Sequence, residues 1–468
     1  MPTSAEVQQM LTGPGGAFEV VEEPVRGAPM RVYKQRMRAL REISGLAAAR
    51  GNDDIHIVYG DRRIGFADFV AAGNSVSGAL RNRGIGRGDR VAVLAANNPE
   101  WVFTFWGTVN LGAILVGLNG WWKADEIAYG LADSGARVLV ADRARLLRIA
   151  DRLADLPQLE AIFVIDAEPG AVGDDPRLHP FADLLGAPTP ELPADPIDED
   201  DPAVIFYTSG TTGRPKGAVS THRSMIANVQ NTMYNAVAGV LQGGANVLPQ
   251  GGGQTASLLT SPLFHVSGCH SGVVVALLAG IKVVMVEGKF EPEKAMRLIE
   301  TENISVWATV PTMVWRVVEH PERHNYDLSS ITTIAYGGSP SAAELQRRVQ
   351  ETFPNVRTLG NAYGLTESSS VATVISGQEF LDRPESVGRP MPGVDIRIAG
   401  ADGEEVPTGS LGEVWIKGPI IMPGYWNKPD ATAEVLDANG WLHSGDIGYV
   451  DAEGYVYITD RAKDMIIR

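Results

Sequence analysis

Short apolar runs alternate with helical patterns along the first part of the chain. The runs RVAVLAAN (residues 90–97) and ARVLVAD (residues 136–142) are almost continuously apolar, as expected of strands covered on both faces. Between them, PEWVFTFWGTVNLGAI carries apolar residues at helical spacing. Strands and helices that alternate in this way predict a layered α/β fold.

A second series of strands follows a stretch rich in proline and acidic residues. This stretch, PTPELPADPIDEDDP (residues 188–202), predicts a linker or a domain seam. Five apolar runs then end in glycine, proline or polar residues: AVIFYTSG, KVVMVEG, VWATVP, TTIAYGGSP and VRTLGNAYG. Because ligands bind at the carboxyl ends of strands in open α/β sheets, these five ends predict a common crevice.

The sequence pattern changes near residue 388, where strands with alternating apolar and polar residues are separated by D-G, N-G and E-G turns. We therefore predict an α/β protein with two layered α/β subdomains, over residues 1–195 and 196–387. A smaller β-rich subdomain follows over residues 388–460, and residues 461–468 complete the chain.

Composition narrows the class of protein. The 468 residues carry a formal net charge of −16, which argues against a nucleic-acid scaffold or a basic membrane-surface protein. The single cysteine, Cys269, allows no disulfide within the chain, and the start MPTSAEVQQM lacks the form of a secretion signal. We expect a cytoplasmic protein. The most apolar stretch, GVVVALLAGIKVVMVEG, contains Lys282 and is too short to span a bilayer, so it predicts a buried helix that runs into a buried strand.

The segment YTSGTTGRPKG (residues 207–217) is the strongest candidate for a binding loop. Glycines let the backbone approach a polyphosphate, hydroxyls supply further donors, and Lys216 adds a positive charge. The spacing is not that of the common phosphate loop, since Gly210 and Gly213 are three residues apart and a glycine follows the lysine. A plain turn is the alternative, but turn stability does not require all these residue types together. We expect the phosphates to lie in a strand-to-helix bend that ends at Lys216.

Four further segments carry residues suited to nucleotide chemistry. They are YGGSP (336–340), NAYGLTES (361–368), WLHSGDIG (441–448) and DRAKDMI (460–466). With YTSGTTGRPKG they resemble, in order, the motifs of the adenylate-forming superfamily, which comprises acyl-CoA synthetases, aryl-CoA ligases, luciferases and peptide-synthetase adenylation domains. The resemblance covers nearly the whole chain, and five ordered motifs are far more specific than one. It implies the fold of the large N-terminal domain of these enzymes, in which the β-rich subdomain is a distorted barrel.

The resemblance also implies roles for individual residues. Lys216, Thr208, Glu367 and His265 would take part in catalysis, with Glu367 and Thr208 holding Mg²⁺ and His265 beside the acyl carboxylate. The nucleotide would contact Thr208, Ser209, Gly210, Thr211, Thr212, Gly213, Lys216, Gly337, Gly338, Ser339, Pro340, Asn361, Ala362, Tyr363, Gly364, Thr366, Asp446, Arg461 and Lys463.

Elementary chemistry fits several of these roles. A carboxylate beside a hydroxyl, as in Thr366 and Glu367, suits Mg²⁺, which keeps phosphate oxygens and waters as its other ligands. Tyr363 has the ring to stack on adenine, and Asp446 has the carboxylate to bind ribose hydroxyls. Taken one at a time, the same residues are also ordinary surface, core or turn residues.

The implied reaction is attack of a carboxylate on the α-phosphorus of ATP, followed by transfer of the acyl group to coenzyme A. The expected partners are thus ATP, Mg²⁺, a carboxylic acid and coenzyme A, with no nucleic acid and no integral membrane span; peripheral membrane contact stays open. The segment SLLTSPLFHV offers no acidic partner for a substrate amine, which favours a fatty acid, with an aryl acid as the alternative. Some similar long-chain synthetases carry a bulky aromatic gate near the position of Cys269, so chain length stays open.

Two readings from other classes remain open. A phosphotransferase or nucleoside triphosphatase would release phosphate or ADP, and a noncatalytic ATP-binding module would turn nothing over. The resembled family has a hinge that residues 461–468, with Lys463, match here, and it continues beyond the hinge for a small domain of about a hundred residues, which we expect to be absent from this form. That domain carries a lysine that contacts the acyl carboxylate and the α-phosphate. Because nothing follows Arg468, we expect this form to adenylate poorly and to make little thioester.

Overall fold

Two large β-sheets form the framework of the molecule. The computed structural model describes residues 2–186, 195–208, 213–243, 253–337 and 343–461, and every structural statement below concerns these residues. One sheet has seven strands and the other thirteen, and a separate two-stranded hairpin lies near the start of the chain.

The strands alternate with helices over most of the chain, as the apolar pattern predicts. The strands are β1 (Val20–Val25), β2 (Ala28–Tyr33), β3 (Ile55–Tyr59), β4 (Arg62–Gly65), β5 (Arg90–Leu94), β6 (Ile114–Gly117), β7 (Val138–Asp142), β8 (Ala161–Ile165), β9 (Leu178–Pro180), β10 (Pro202–Thr208), β11 (Lys216–Thr221), β12 (Ala256–Leu259), β13 (Lys282–Met285), β14 (Val306–Thr309), β15 (Thr333–Gly337), β16 (Thr358–Tyr363), β17 (Thr373–Ser376), β18 (Ser386–Pro390), β19 (Asp395–Ala399), β20 (Gly412–Lys417), β21 (Trp441–Val450) and β22 (Val456–Arg461).

The α-helices are α1 (Ser4–Thr12), α2 (Arg41–Ala48), α3 (Phe66–Asn82), α4 (Pro99–Val109), α5 (Ala124–Ser134), α6 (Arg143–Leu146), α7 (Ala182–Leu185), α8 (His222–Leu241), α9 (Val275–Ala279), α10 (Pro292–Glu302), α11 (Pro311–Val318), α12 (Ala343–Thr352), α13 (Gln378–Asp382) and α14 (Pro429–Ala433). Short 3₁₀ helices cover Ala150–Asp155, Pro169–Ala171 and Arg323–Asn325, and a π-helix covers Cys269–Val274.

The seven-stranded sheet has the order β11-β10-β6-β5-β7-β8-β9. All its neighbours are parallel except β10 and β11, which form an antiparallel pair at one edge. Strands β7 and β8 are buried along their whole length, which explains why their sequences are continuously apolar. The predicted strands over residues 90–97 and 136–142 are confirmed as β5 and β7.

The thirteen-stranded sheet joins a parallel half to an antiparallel half. Its order is β19-β20-β21-β22-β18-β17-β16-β15-β14-β12-β13-β3-β4. The strands from β3 to β16 in this order pair in parallel, and those from β16 to β19 pair antiparallel. The predicted α/β fold with a β-rich end is confirmed. Among the described strands the β-rich end forms an open sheet with β19 at its edge, not a closed barrel.

Each of the two sheets contains strands from both sides of residue 195. Strands β3 and β4 come from the first part of the chain but complete the larger sheet, whereas β10 and β11 follow residue 195 and belong to the smaller one. The subdomain limits at residues 195, 387 and 460 stay a prediction. The seam itself is described from residue 195 onward, since residues 187–194 lie outside the described ranges.

Helices cover both sheets and complete the core. Helix α4 begins with Asn98, whose side-chain oxygen accepts a hydrogen bond from the Trp101 amide at 2.8 Å, and Pro99 follows at the first helical position. Its residues Trp101 and Trp106 are fully buried. The apolar stretch around Lys282 forms α9 and then β13, which confirms a buried helix running into a buried strand. Within the described ranges, no helix combines the length and the apolar character needed to cross a bilayer.

Candidate active site

A large cavity lies where strands of the two sheets end. Its volume is about 2500 Å³. Ten of the residues predicted for the site line it: Thr208, Lys216, His265, Gly337, Asn361, Ala362, Tyr363, Gly364, Thr366 and Glu367. Of the five strand ends expected to form one crevice, those of β10, β14, β15 and β16 contribute; the end of β13 is not among the described lining residues.

The hydroxyl-rich loop joins two strands. Thr208 ends β10, Lys216 begins β11, and the two residues face each other in the antiparallel register. The expected strand-to-helix bend is therefore wrong. The run from Lys216 to Thr221 pairs with β10 and is buried from Gly217 onward, and helix α8 begins only at His222, where Thr221 caps it. Lys216 therefore lies at the start of the edge strand β11 and not at the N-terminus of a helix.

Several predicted residues lie outside the described ranges. They are Ser209, Gly210, Thr211, Thr212, Gly338, Ser339, Pro340 and Lys463. Gly213 is described and lies in the turn that precedes β11. Arg461 is described in its backbone alone, where it lies opposite Asp446 in the register of β21 and β22.

The turn that carries Thr366 and Glu367 follows β16 and is tightly folded. A Cβ on Gly364 would lie 1.5 Å from the carbonyl oxygen of Ser370, so only glycine fits there. Ser369 and Ser370 both have positive φ angles, 52° and 115°, which are unfavourable for serine. Strain of this kind persists only where the surrounding structure holds it in place.

Hydrogen bonds from three elements hold this turn. The Ser369 hydroxyl contacts those of Ser220 in β11 (3.2 Å) and Ser224 at the start of α8 (2.9 Å). The Ser370 hydroxyl lies 2.6 Å from that of Ser271 in the π-helix, and the Ser369 carbonyl lies 3.1 Å from Nδ1 of His270. We did not predict these serines as site residues, although a run of three serines after the acid is visible in the sequence.

Glu367 meets a residue from a distant part of the chain. The hydroxyl of Tyr425 donates a hydrogen bond to Oε1 of Glu367 at 2.7 Å, and the Lys216 ammonium lies 4.7 Å from the centre of the Tyr425 ring. Burial, and then the neighbouring Glu367, raise the pKa of Tyr425, so its hydroxyl stays protonated and able to donate. Sequence reasoning missed Tyr425, for which the signal GYW after an apolar run is weak.

The chemistry of the acidic turn fits a magnesium ion. Among the described residues no group of three or more His, Cys, Asp or Glu side chains is arranged to hold a metal. Mg²⁺ does not need such a group, because it binds one or two carboxylates and completes its shell with phosphate oxygens and waters. Glu367 supplies a carboxylate that lines the cavity, and Oε1 alone is engaged by Tyr425 among the described contacts.

Asp446 and Tyr363 form a pair at one side of the cavity. The Tyr363 hydroxyl donates to Oδ2 of Asp446 at 2.7 Å, and Asp446 is 4% exposed. Asp446 itself is not among the lining residues, but its neighbours Gly445 and Ile447 are. The residues predicted to contact adenine and ribose are thus adjacent.

His265 lies among aromatic rings at the cavity wall. Its ring centre is 4.8 Å from that of Phe264 and 6.2 Å from that of Trp121, which is 67% exposed. Burial lowers the pKa of His265, so the neutral ring is favoured near neutral pH. A neutral imidazole can stand beside a carboxylate either as a hydrogen-bond donor or as an acceptor, according to its tautomer.

The cavity continues from these groups along helix α8. Asn231, Thr232, Asn235, Ala236 and Gly239 line it, and it reaches residues 2–5 at the start of the chain. Asn231 is 1% exposed and accepts a hydrogen bond from the Tyr33 hydroxyl at 2.7 Å. Its amide nitrogen has no partner in the described part of the chain. An unpaired buried donor of this kind is costly unless a ligand or water satisfies it.

Thr208, Lys216 and the Glu367 carboxylate line one cavity of an α/β fold built on two large sheets, as the resemblance to the adenylate-forming class led us to expect. The chain belongs to the AMP-binding enzyme family, which it matches over residues 46–426.

Known members of this class are similar over most of their length. The chain is 34% identical to a feruloyl-CoA synthase from Amycolatopsis sp over 411 residues, 87% of this chain and 76% of the relative. It is 32% identical to a long-chain-fatty-acid–CoA ligase from Bacillus subtilis, over 92% of this chain and 78% of the relative. The N-terminal domain of FACL13 from Mycobacterium tuberculosis has a similar structure, with a TM-score of 0.78, 30% identity, and coverage of 91% of this chain and 100% of that domain.

Proposed function

We propose that this protein activates a carboxylic acid with ATP to form an acyl adenylate and diphosphate, and that the thiol of coenzyme A then takes the acyl group as a thioester, losing its proton and releasing AMP. The observation that carries the proposal is the meeting of Lys216 and Glu367 at Tyr425, beside one cavity. A cation at that spot can bind phosphate oxygens, and a carboxylate there can bind the Mg²⁺ that accompanies a polyphosphate.

The first step forms one bond and breaks one. A carboxylate oxygen of the acid attacks the α-phosphorus of ATP, and the bond from that phosphorus to the bridging oxygen of the β-phosphate breaks. Diphosphate leaves with the electron pair. Because the attacking carboxylate is already ionised, the protein need not supply a strong base; it must position two anions and stabilise the leaving charge.

Six described residues have a place in this step. Lys216 and the Thr208 hydroxyl would hold the phosphates, and Glu367, with Thr208, would hold Mg²⁺, which offsets the charge of the leaving diphosphate. Tyr363 would contact the adenine and Asp446 the ribose. His265 would stand beside the acid, where its neutral ring can hydrogen-bond the carboxylate without repelling it.

We propose a fatty acid as the substrate. The support is the length of the cavity, which runs from Lys216 past Ala236 and Gly239 to the start of the chain. Ala236 and Gly239 are small, so this wall of the cavity leaves room for an alkyl chain. The similarity to the Bacillus subtilis long-chain-fatty-acid–CoA ligase points the same way.

An oxygenated aryl acid is the second candidate, favoured by one observation. The unpaired amide of Asn231, with Thr232 and Asn235 beside it, gives the cavity polar groups that an alkyl chain cannot satisfy. A methoxyl or phenol oxygen would satisfy the amide. The relative from Amycolatopsis sp is a feruloyl-CoA synthase.

Exchange of labelled diphosphate into ATP, measured with a panel of acids, tests the proposal. Fatty acids of increasing length, cinnamate, coumarate and ferulate form the panel, and AMP and thioester are quantified with coenzyme A present. We expect exchange that depends on a fatty acid and rises with chain length. The highest rate with ferulate would replace the fatty acid by the second candidate. Release of phosphate or ADP without an acid would contradict the proposal altogether.

Lys216→Gln and Glu367→Gln separate the site from the rest of the fold. We expect each to lower exchange by about 100-fold, the usual effect of removing one group that stabilises charge in the transition state. Lys289→Gln and Glu385→Gln are matched controls, because both side chains are exposed and neither lines the cavity. Unchanged exchange in the Lys216 and Glu367 variants would overturn the proposed site.

A further inference from the structure

Tyr425 contacts both Lys216 and Glu367. It is 8% exposed, lies at the cavity wall, and combines a ring under the Lys216 ammonium with a hydroxyl bonded to Glu367. An ammonium over an aromatic face is attracted by the ring, more strongly when both are shielded from water.

Backbone hydrogen bonds join the segment around Tyr425 to β11, which begins with Lys216, and to Glu367. The Trp426 amide donates to the Gly217 carbonyl at 2.7 Å, and the Val219 amide donates to the Gly424 carbonyl at 3.2 Å. Residues 424–426 thus extend the edge of the smaller sheet beyond β11, with Tyr425 opposite Ala218. On the other side, the Met422 amide donates to the Glu367 carbonyl at 2.8 Å.

The conformation of this segment is itself specified locally. Gly424 has a φ of 155°, and a Cβ there would lie 2.7 Å from the Thr432 side chain. The Thr432 hydroxyl accepts a hydrogen bond from the Tyr425 amide at 2.9 Å. These contacts fix the backbone at Tyr425, and burial of the ring and the hydrogen bond of its hydroxyl to Glu367 hold the side chain, as a group that orients two others requires.

We propose that Tyr425 is a positioning residue: it holds the Lys216 ammonium and the Glu367 carboxylate in the relative positions that bind MgATP. Its hydroxyl holds Oε1 of Glu367 and leaves the second carboxylate oxygen for the metal. Its ring holds the ammonium beside the hairpin before the phosphates arrive. This inference rests on the proposed function, since it concerns the same nucleotide site.

Tyr425→Phe tests the hydroxyl alone, because the ring and its contact with Lys216 remain. We expect the dissociation constant and KM of MgATP to rise about tenfold, the effect of losing one hydrogen bond to a charged group, and the Mg²⁺ concentration for half-maximal exchange to rise with them. KM for the acid stays unchanged. Tyr425→Leu also removes the ring, and we expect a further fall in the rate of exchange.

Tyr457→Phe is the matched control, because the Tyr457 hydroxyl also donates to a carboxylate, that of Asp451 at 3.2 Å, and neither residue lines the cavity. Thermal unfolding of each variant shows whether the fold is intact. A Tyr425→Phe protein with a lower melting temperature but wild-type Mg²⁺ and MgATP dependence would overturn the proposal, as would equal increases in KM for the acid and for MgATP.

Direct binding keeps this test separate from that of the proposed function. MgATP binding by calorimetry needs no turnover, so a wild-type protein that binds MgATP without acid-dependent exchange would refute the reaction only. The dissociation constants of Tyr425→Phe and wild type would then decide the role of Tyr425 by themselves.

Discussion

The hydroxyl of Tyr363 donates a hydrogen bond to the carboxylate of Asp446 at 2.7 Å, and this contact joins the end of β16 to β21. The two strands belong to opposite halves of the thirteen-stranded sheet. Tyr363, in the parallel half, therefore holds one carboxylate oxygen of an acid carried by the antiparallel half. If Asp446 binds the ribose, the position of the ribose depends on Tyr363.

Tyr363→Phe keeps the ring and removes this hydrogen bond. We expect KM for ATP to rise about tenfold, because hydrogen bonds to charged groups contribute about 1.5–3 kcal/mol, while KM for the acid stays constant. Steady-state exchange kinetics measure both constants. Tyr449→Phe serves as the control, since Tyr449 stacks on Tyr457 with ring centres 4.7 Å apart and does not line the cavity. An unaltered KM for ATP would show that Tyr363 does not orient the ribose site.

Asn231 is expected to decide between alkyl and oxygenated acids. Replacing it by leucine removes the buried amide from the cavity and adds apolar surface, so we expect the ratio of kcat/KM for palmitate to that for ferulate to rise at least about tenfold. Tyr33→Phe removes only the hydrogen bond between Tyr33 and Asn231 and reports the effect of that contact on its own. Equal changes for both acids in Asn231→Leu would mean that this part of the cavity does not contact the acid.

Gly364→Ala tests whether the acidic turn must be as tight as it is. The added methyl group would lie 1.5 Å from the Ser370 carbonyl oxygen, so the turn must open. We expect a loss of about 3 kcal/mol of stability by urea unfolding, typical of overpacking against backbone, and a fall in exchange because Glu367 moves. Gly45→Ala is the control, since Gly45 is exposed in α2 with open space around it, and it should gain about 1 kcal/mol. A Gly364→Ala protein as stable and active as wild type would contradict this account.

Local pattern was enough to predict the elements that are buried on all sides. Strands β5 and β7 and helix α4 have few polar positions because both of their faces are covered, and such runs can be recognised without knowledge of their neighbours. Local pattern also predicted which residues of the motif loops line the cavity, because glycines, hydroxyls and acids cluster in sequence at the ends of strands.

Contacts set by topology could not be predicted in this way. Tyr425 reaches Lys216 only because residues 424–426 return to pair beside β11, and nothing near Tyr425 in the sequence indicates that pairing. The positive φ angles of Ser369 and Ser370 depend likewise on partners in α8 and the π-helix. The hairpin at Lys216 was missed for a different reason. We predicted a helix directly after Lys216, although the run up to Thr221 has strand character and Thr221 caps a helix that begins only after it.

Three buried histidines make the stability of the fold depend on pH. Burial lowers the pKa of His56, His222 and His270 to about 4 each. The unfolded chain, with pKa values near 6.5, binds more protons below that pH, so the stability is complete above about pH 6.5 and is lost as the pH falls toward 4. Each histidine should account for a loss of about 2 kcal/mol between pH 7 and pH 5.

Urea unfolding of wild type and His56→Leu at several pH values isolates one of these groups. His56 lies between Phe66 and Phe69, so leucine keeps an apolar side chain there, although it gives up the contact of Nδ1 with the Ile281 carbonyl. Whatever that loss costs at pH 7, the fall in stability from pH 7 to pH 5 should shrink by about 2 kcal/mol. His324→Gln, at an exposed position, should leave the fall unchanged. If His56→Leu loses as much stability as wild type over this range, the His56 ring is already protonated in the folded protein or reaches solvent, and the buried neutral histidine is not what makes acid destabilising.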